Sequence, residues 1–202
     1  MQVHKIYPSG FASNTYFVTE DGKNAVCIDP AQPRALEEAE RLGLNIRYVL
    51  LTHGHFDHIG GASALQKAGA KVGCLAGEER LAVADNLADL FGDGSEIEPF
   101  FVDFTVKNGE ILDILDLKIQ VMATPGHTAG GACYLVGNCI FTGDTLFQGS
   151  VGRCDLPTGD ADKLEESVKK LYALDGDYEV YAGHGGDTTL ENERKYNGAI
   201  RA

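Results

Sequence analysis

Apolar residues along this chain come in short runs, most of them ended by a glycine, a proline or an aspartate. Runs of about four to eight residues that alternate or are apolar throughout predict strands. Residues 2–7, 14–20 and 25–29 read as three such strands, the last stopped by Pro30. A helix is expected from Pro33, with Leu36, Ala39 and Leu42 at helical spacing and Gly43 placed to end it. Residues 46–51 read as a strand, 62–68 as a helix closed by Gly69, and 71–75 as another strand. Residues 78–90 read as one helix carrying Leu81, Val83, Ala84, Leu87 and Leu90, followed by a turn-rich, mobile loop over 91–95. Residues 100–105, 110–112 and 117–122 alternate as strands should, and 132–136 and 139–142 form a hairpin about Gly137-Asn138. Residues 160–174 form a helix with Leu164, Val168 and Leu171 on one face, 178–182 the last strand, and 188–197 a closing helix.

Helices flank the chain in both halves, while strands dominate residues 97–142. The strands have too many short connections for one parallel α/β sheet, which suggests two sheets face to face with helices outside. At 202 residues the chain suggests one domain, 1–202, able to bury roughly 70% of its unfolded surface. No linker interrupts it, and no apolar run approaches the ~20 residues that span a bilayer. The N-terminal residues lack a basic head followed by an apolar core, so no signal peptide is expected and the default compartment is the cytoplasm.

Charge narrows the partners. A net charge of −13 repels nucleic-acid phosphates and anionic lipids, and the 17 Lys and Arg form no long cluster. Neither nucleic acid nor membrane is expected as a partner. Five cysteines without a C-x-x-C pair fit free thiols in a reducing compartment. In the hairpin register that pairs Val136 with Cys139, Cys133 faces away from Cys139, so no disulfide joins them.

The candidate chemistry lies where strands end. Thr52-His53-Gly54-His55-Phe56-Asp57-His58-Ile59-Gly60-Gly61 separates the 46–51 strand from the 62–68 helix. Imidazole and carboxylate together suit zinc, iron or manganese. A turn can aim alternate side chains at one point, and Gly54 lets the backbone bend sharply between two of them. Thr124-Pro125-Gly126-His127-Thr128, Thr142-Gly143-Asp144 and Gly183-His184-Gly185-Gly186 repeat the arrangement after three later strands. Five of the six histidines thus sit in glycine-containing turns after a strand; His4 is the exception. If these strand ends share one edge, His53, His55, Asp57, His58, His127, Asp144 and His184 meet there.

The string Thr-His-Gly-His-Phe-Asp-His resembles the metal-binding signature of the metallo-β-lactamase fold superfamily, and the likeness extends over most of the chain. The resemblance implies an α+β fold, the αββα sandwich of two mixed sheets. It assigns His53, His55 and His127 to one divalent metal ion, Asp57, His58 and His184 to a second, and Asp144 to a bridge between them. Asp57 and Asp144 are then the catalytic carboxylates, and Asp29 an acidic residue that steadies a ligand. Three donors plus a shared carboxylate leave room for a bridging hydroxide, the open coordination of a catalytic site. Two divalent ions, two carboxylates and one hydroxide sum to about +1, which favours substrates that develop an oxyanion.

Residues 147–157 and 188–194 resemble the corresponding segments of glyoxalase II-like hydrolases. The implied reaction is hydrolysis of a small-molecule thioester, such as S-lactoylglutathione, with zinc, iron or manganese as the metal. Arg153 is a candidate clamp for a substrate carboxylate, with an ion pair to Asp155 as the equal alternative. Arg194 is expected to be structural, capping or pairing within the last helix, and Cys154 a bystander. Ala129 and Gly131 replace a proline and a serine usual in the family, and Gly186-Asp187 stands where a proline is common. The chain stops short of the helical domain that binds glutathione in longer glyoxalase II enzymes, which leaves the thiol carrier open. A mononuclear iron persulfide dioxygenase, a lactone hydrolase and a non-catalytic metal-binding protein remain as alternatives. β-Lactamase activity is disfavoured, because Asp144 stands where the main such enzymes carry cysteine.

Overall fold

A computed structural model describes residues 1–91 and 97–201. Five central strands, β2 (Thr15–Thr19), β3 (Asn24–Ile28), β4 (Asn45–Leu51), β9 (Ala132–Val136) and β10 (Cys139–Gly143), are apolar on both faces or nearly so. A strand of that kind has to be covered on both sides. Alternate residues of each accordingly feed different layers. Tyr16 and Val18 point between the two sheets while Phe17 points outward, and Tyr134 and Val136 oppose Cys133 and Leu135 in the same way.

The first sheet runs β1-β2-β3-β4-β5-β6, with β1 at Gln2–Ile6, β5 at Lys71–Leu75 and β6 at Phe104–Val106. Its first three strands are antiparallel, and β3 to β6 are parallel. Helix α1 (Ala35–Arg41) links β3 to β4, and α2 (Phe56–Ile59) and α3 (Ala62–Lys67) link β4 to β5. The second sheet runs β14-β13-β10-β9-β8-β7, with β7 at Ile111–Ile114, β8 at Leu117–Ala123, β13 at Glu179–Ala182 and β14 at Thr188–Thr189. A small hairpin, β11 (Leu146–Phe147) with β12 (Ser150–Val151), stands apart from both sheets. Apolar clusters fill the space between the sheets and beneath α1 and α3 on one side, α6 (Ala161–Tyr172) and α7 (Leu190–Tyr196) on the other. This is the expected sandwich with helices outside. Among the described residues no helix is long and apolar enough to cross a membrane.

Several boundaries differ from the expected ones. The 78–90 helix divides into α4 (Glu79–Val83) and α5 (Ala88–Phe91). Asn86 takes the chain out of helix: its carbonyl accepts from Phe56 N at 2.9 Å, its Oδ1 accepts from Ala88 N at 3.1 Å, and Leu87 turns to φ +67°. Residues 100–103 are not a strand, because Gln66 bonds the backbone of Phe101 on both sides in place of a ladder. The short β11–β12 hairpin carries no periodic signal in the sequence. The loop expected over 91–95 lies, beyond Phe91, outside the described residues.

Other details hold. Val136 pairs with Cys139, Cys133 and Cys139 pack in different layers, and the five cysteines are free. Asp160 caps α6 by accepting from Lys163 N at 3.1 Å. Arg194 is structural, but it reaches across from α7 to the carbonyls of Tyr172, Leu174 and Gly176 at the end of α6.

Candidate metal centre

Strands β4, β8, β10 and β13 all deliver their C-terminal turns to one rim of the sandwich. The turn after β4 brings His53 and His55, and the one-turn helix α2 adds Asp57 and His58, so part of what the sequence presented as a turn is helical. His127 follows β8, Asp144 follows β10, and His184 follows β13. The donor atoms of His53, His55 and His127 lie within 4.8 Å of one another, as do those of Asp57, His58 and His184. Asp144 stands between the two groups. Its Oδ1 is 3.3 Å from His58 Nε2, and its Oδ2 is 3.5 Å from His127 Nε2 and 3.7 Å from His184 Nε2. All seven ligand candidates named from the sequence are therefore together.

These side chains are held from behind. His58 Nδ1 faces Asp29 Oδ2 at 2.8 Å, and His127 Nδ1 donates to the Arg153 carbonyl at 2.7 Å. Asp29 is buried with φ +50°, and it also accepts from Thr52 N at 2.7 Å and Thr52 Oγ1 at 2.6 Å. Such contacts fix which ring nitrogen points inward. Buried polar atoms are left over there: His53, His55 and His58 Nε2 and Asp144 Oδ1 have no hydrogen-bond partner, and His55 turns its other nitrogen, Nδ1, to within 2.9 Å of His127 Nε2. Unpaired buried polar atoms are expensive, and cations at the focus would give His53 Nε2, His58 Nε2 and Asp144 Oδ1 a partner. The donor set fits a divalent ion: neutral imidazoles and ionised carboxylates at one focus.

Electrostatics follow the same geometry. Burial first, then the neighbouring imidazoles, push His53 far below the usual histidine value and His55 down to about 4, so both stay neutral. Burial pushes Asp57 and Asp144 up, but facing histidines, led by His58, outweigh it and hold both carboxyls below the usual range. Burial would lower His58, yet Asp144, Asp29 and Asp57 together raise it well above the usual value. A cation at Nε2 would displace that proton.

Two glycines are needed here for space. A Cβ on Gly183 would sit 2.3 Å from Asp144 Oδ1 and 2.7 Å from His58 Cε1. A Cβ on Gly54 would sit 2.4 Å from Ala82 N, so Gly54 answers to the close approach of α4 rather than to the bend itself.

Arg153 meets the site through its backbone. Its guanidinium binds Asp155 at 2.6 and 2.8 Å and stands 5.9 Å from the Phe91 ring, while its carbonyl holds His127. The exposed intra-loop ion pair, one of the two readings left open by the sequence, is formed. Asn14, read only as the start of a strand, ties the rim together. Its N–H donates to Gly183 O at 2.7 Å and its Nδ2 to Ala182 O at 3.0 Å, while the neighbouring Ser13 N donates to Asp57 O at 2.9 Å. A polar residue opening an apolar strand was the only signal available. A cleft of about 950 Å³ contains none of the seven side chains; it lies beside them, between Ala129, Thr158 and the α4–α5 segment at Leu81, Asn86 and Leu87.

Residues 8–184 match the sequence profile of the metallo-beta-lactamase superfamily. The hydroxyacylglutathione hydrolase GloC of Haemophilus influenzae is 36% identical over 207 residues, covering 98% of this chain and 97% of that protein. The crystal structure of the BLEG-1 B3 metallo-beta-lactamase superposes with a TM-score of 0.89 at 31% identity, covering 98% of each chain. TTHA1623, solved in a di-iron-bound form, gives a TM-score of 0.86 at 34% identity over 96% of this chain and 98% of that one.

Proposed function

The chain belongs to the metallo-beta-lactamase superfamily, and we propose that it is a metal-dependent hydrolase of small thioesters that uses two divalent ions. His53, His55 and His127 would hold the first, Asp57, His58 and His184 the second, and Asp144 would serve both. The observation that carries this reading is the convergence of these donors, with His53 Nε2, His58 Nε2 and Asp144 Oδ1 buried and unpaired. Bound there, two divalent ions supply Lewis acidity and a water that ionises near neutral pH.

The chain's own residues do the rest. Asp29 and the Arg153 carbonyl orient His58 and His127, so that Nε2 of each points to the focus. Asp57 and Asp144 are kept ionised by the surrounding imidazoles, and supply negative charge where cations gather. The cleft between Ala129 and α4–α5 gives a small acyl-thiol room beside the site. Support for a thioester comes from the name of the Haemophilus relative and from the likeness of residues 147–157 and 188–194 to glyoxalase II-like hydrolases. Nitrogen and oxygen donors suit zinc, and iron or manganese as well; the neighbour bound to two irons fits that range.

The test is an activity panel on protein loaded separately with zinc, iron and manganese. Thioesters, a lactone, a β-lactam and a persulfide would be offered, with oxygen uptake recorded. Thioester hydrolysis without oxygen uptake is expected. Oxygen consumption with the persulfide, at one iron per chain, would overturn the proposal in favour of the dioxygenase.

A further inference from the structure

Glu78 lies in none of the metal-ligand turns, yet it touches two of them. It is buried with 2% exposure just ahead of α4. Its Oε1 accepts from Gly54 N at 3.0 Å, and Gly54 lies between His53 and His55. Its Oε2 accepts from Gly130 N at 2.9 Å, three residues beyond His127. Among the described residues no basic side chain pairs with it; the nearby Arg80 is bound to Asp85. One carboxylate thus spans the turn after β4 of the first sheet and the turn after β8 of the second. The backbone at both glycines leaves no room for slippage, since a Cβ on Gly130 would come 2.5 Å from Glu78 Oε2 and one on Gly54 would strike α4.

The histidines on these two turns meet directly, with His55 Nδ1 2.9 Å from His127 Nε2. Asp57, His58 and His184 have contacts of their own: Ser13 N bonds the Asp57 carbonyl, Asn14 bonds the carbonyls of Ala182 and Gly183, and Asp29 faces His58 Nδ1. We infer that Glu78 is a positioning residue for the His53–His55–His127 triad alone, setting the distance between its two halves across the sandwich. The inference deepens the proposed two-ion reading and rests on it for the word "ion", but not for the geometry.

Glu78→Gln keeps the size and one acceptor oxygen, and sets an NH2 donor against one of the two backbone N–H groups. The first readout needs no metal. In chelator-stripped protein, the ring-nitrogen NMR signals of His53, His55 and His127 should move in the variant, while those of His58 and His184 stay. The second is a zinc titration against a competing chelator, in which one of two binding events should weaken by about 10- to 100-fold, as for lost outer contacts at metal sites. Gly130→Ala, which drives a methyl at the carboxylate without removing it, should reproduce both results and stands in if Glu78→Gln does not fold. Unchanged ring signals and unchanged affinities would overturn the inference, as would an equal loss at both sites, since that describes general loosening. Wild-type protein that binds only one ion would refute the two-ion reading, while the stripped-protein signals still decide the role of Glu78.

Discussion

Replacing Asp29 by asparagine removes one charge and one acceptor from a carboxylate that accepts three hydrogen bonds. Oδ1 takes Thr52 N–H at 2.7 Å, and Oδ2 takes the Thr52 hydroxyl at 2.6 Å and His58 Nδ1 at 2.8 Å. The backbone N–H cannot reverse its role, so the new amide nitrogen settles at the Oδ2 position. There the Thr52 hydroxyl can turn to accept, and His58 must give up its Nδ1 proton and keep the one on Nε2. That proton then sits on the atom aimed at the metal focus. Bonds to a charged group are worth about 1.5–3 kcal/mol and neutral ones about 0.5–1.5 kcal/mol, so three weakened bonds should cost about 3–4.5 kcal/mol. The site is buried, so water restores little of this. Urea unfolding of chelator-stripped wild-type and Asp29→Asn protein measures the stability, and competition titration measures zinc affinity. The expected result is a loss in that range together with zinc binding weakened by about 10- to 100-fold. A variant with lower stability but wild-type affinity for both ions would refute the link from Asp29 through His58 to the metal.

Other substitutions probe the remaining contacts. Asp144→Ala should fold, because the residue lies in a turn beyond β10, and should lose hydrolytic turnover; near-normal turnover would remove Asp144 from its place between the ions. Gly183→Ala pushes a methyl into the Asp144 carboxylate and should lower stability by about 1–3 kcal/mol as overpacking does, with zinc content falling below two per chain; full zinc content would show that the turn yields. Arg153→Ala should change the Michaelis constants for anionic and neutral thioesters equally, because its guanidinium is engaged by Asp155; a larger penalty for the anionic substrate would restore the clamp.

The cluster of candidate ligands was legible in the sequence because density and placement coincide: packing alone gives imidazoles no reason to gather in glycine-bearing turns after strands. The hairpin register at Gly137-Asn138 was legible for a similar reason, since a two-residue turn fixes which residues pair. What escaped was set by tertiary contact. Asn86 breaks a helix with sound local periodicity because its carbonyl is wanted by Phe56 N, thirty residues away in sequence. Gln66 replaces a ladder at Phe101 by side-chain bonds that no period reveals. Parallel pairing of β3 to β6 follows from where α1 and α3 return the chain, which short connections disguised. Asn14 and Glu78 look like ordinary polar residues until the turns they join are in place.

Anomalous scattering from crystals of zinc-loaded protein tests the two-ion site most directly. Two peaks are predicted about 3.5–4 Å apart, the usual spacing of paired catalytic ions. One should lie against His53, His55 and His127, the other against Asp57, His58 and His184, with Asp144 touching both. A single peak at saturating zinc, or two peaks with Asp144 turned away from either, would contradict it.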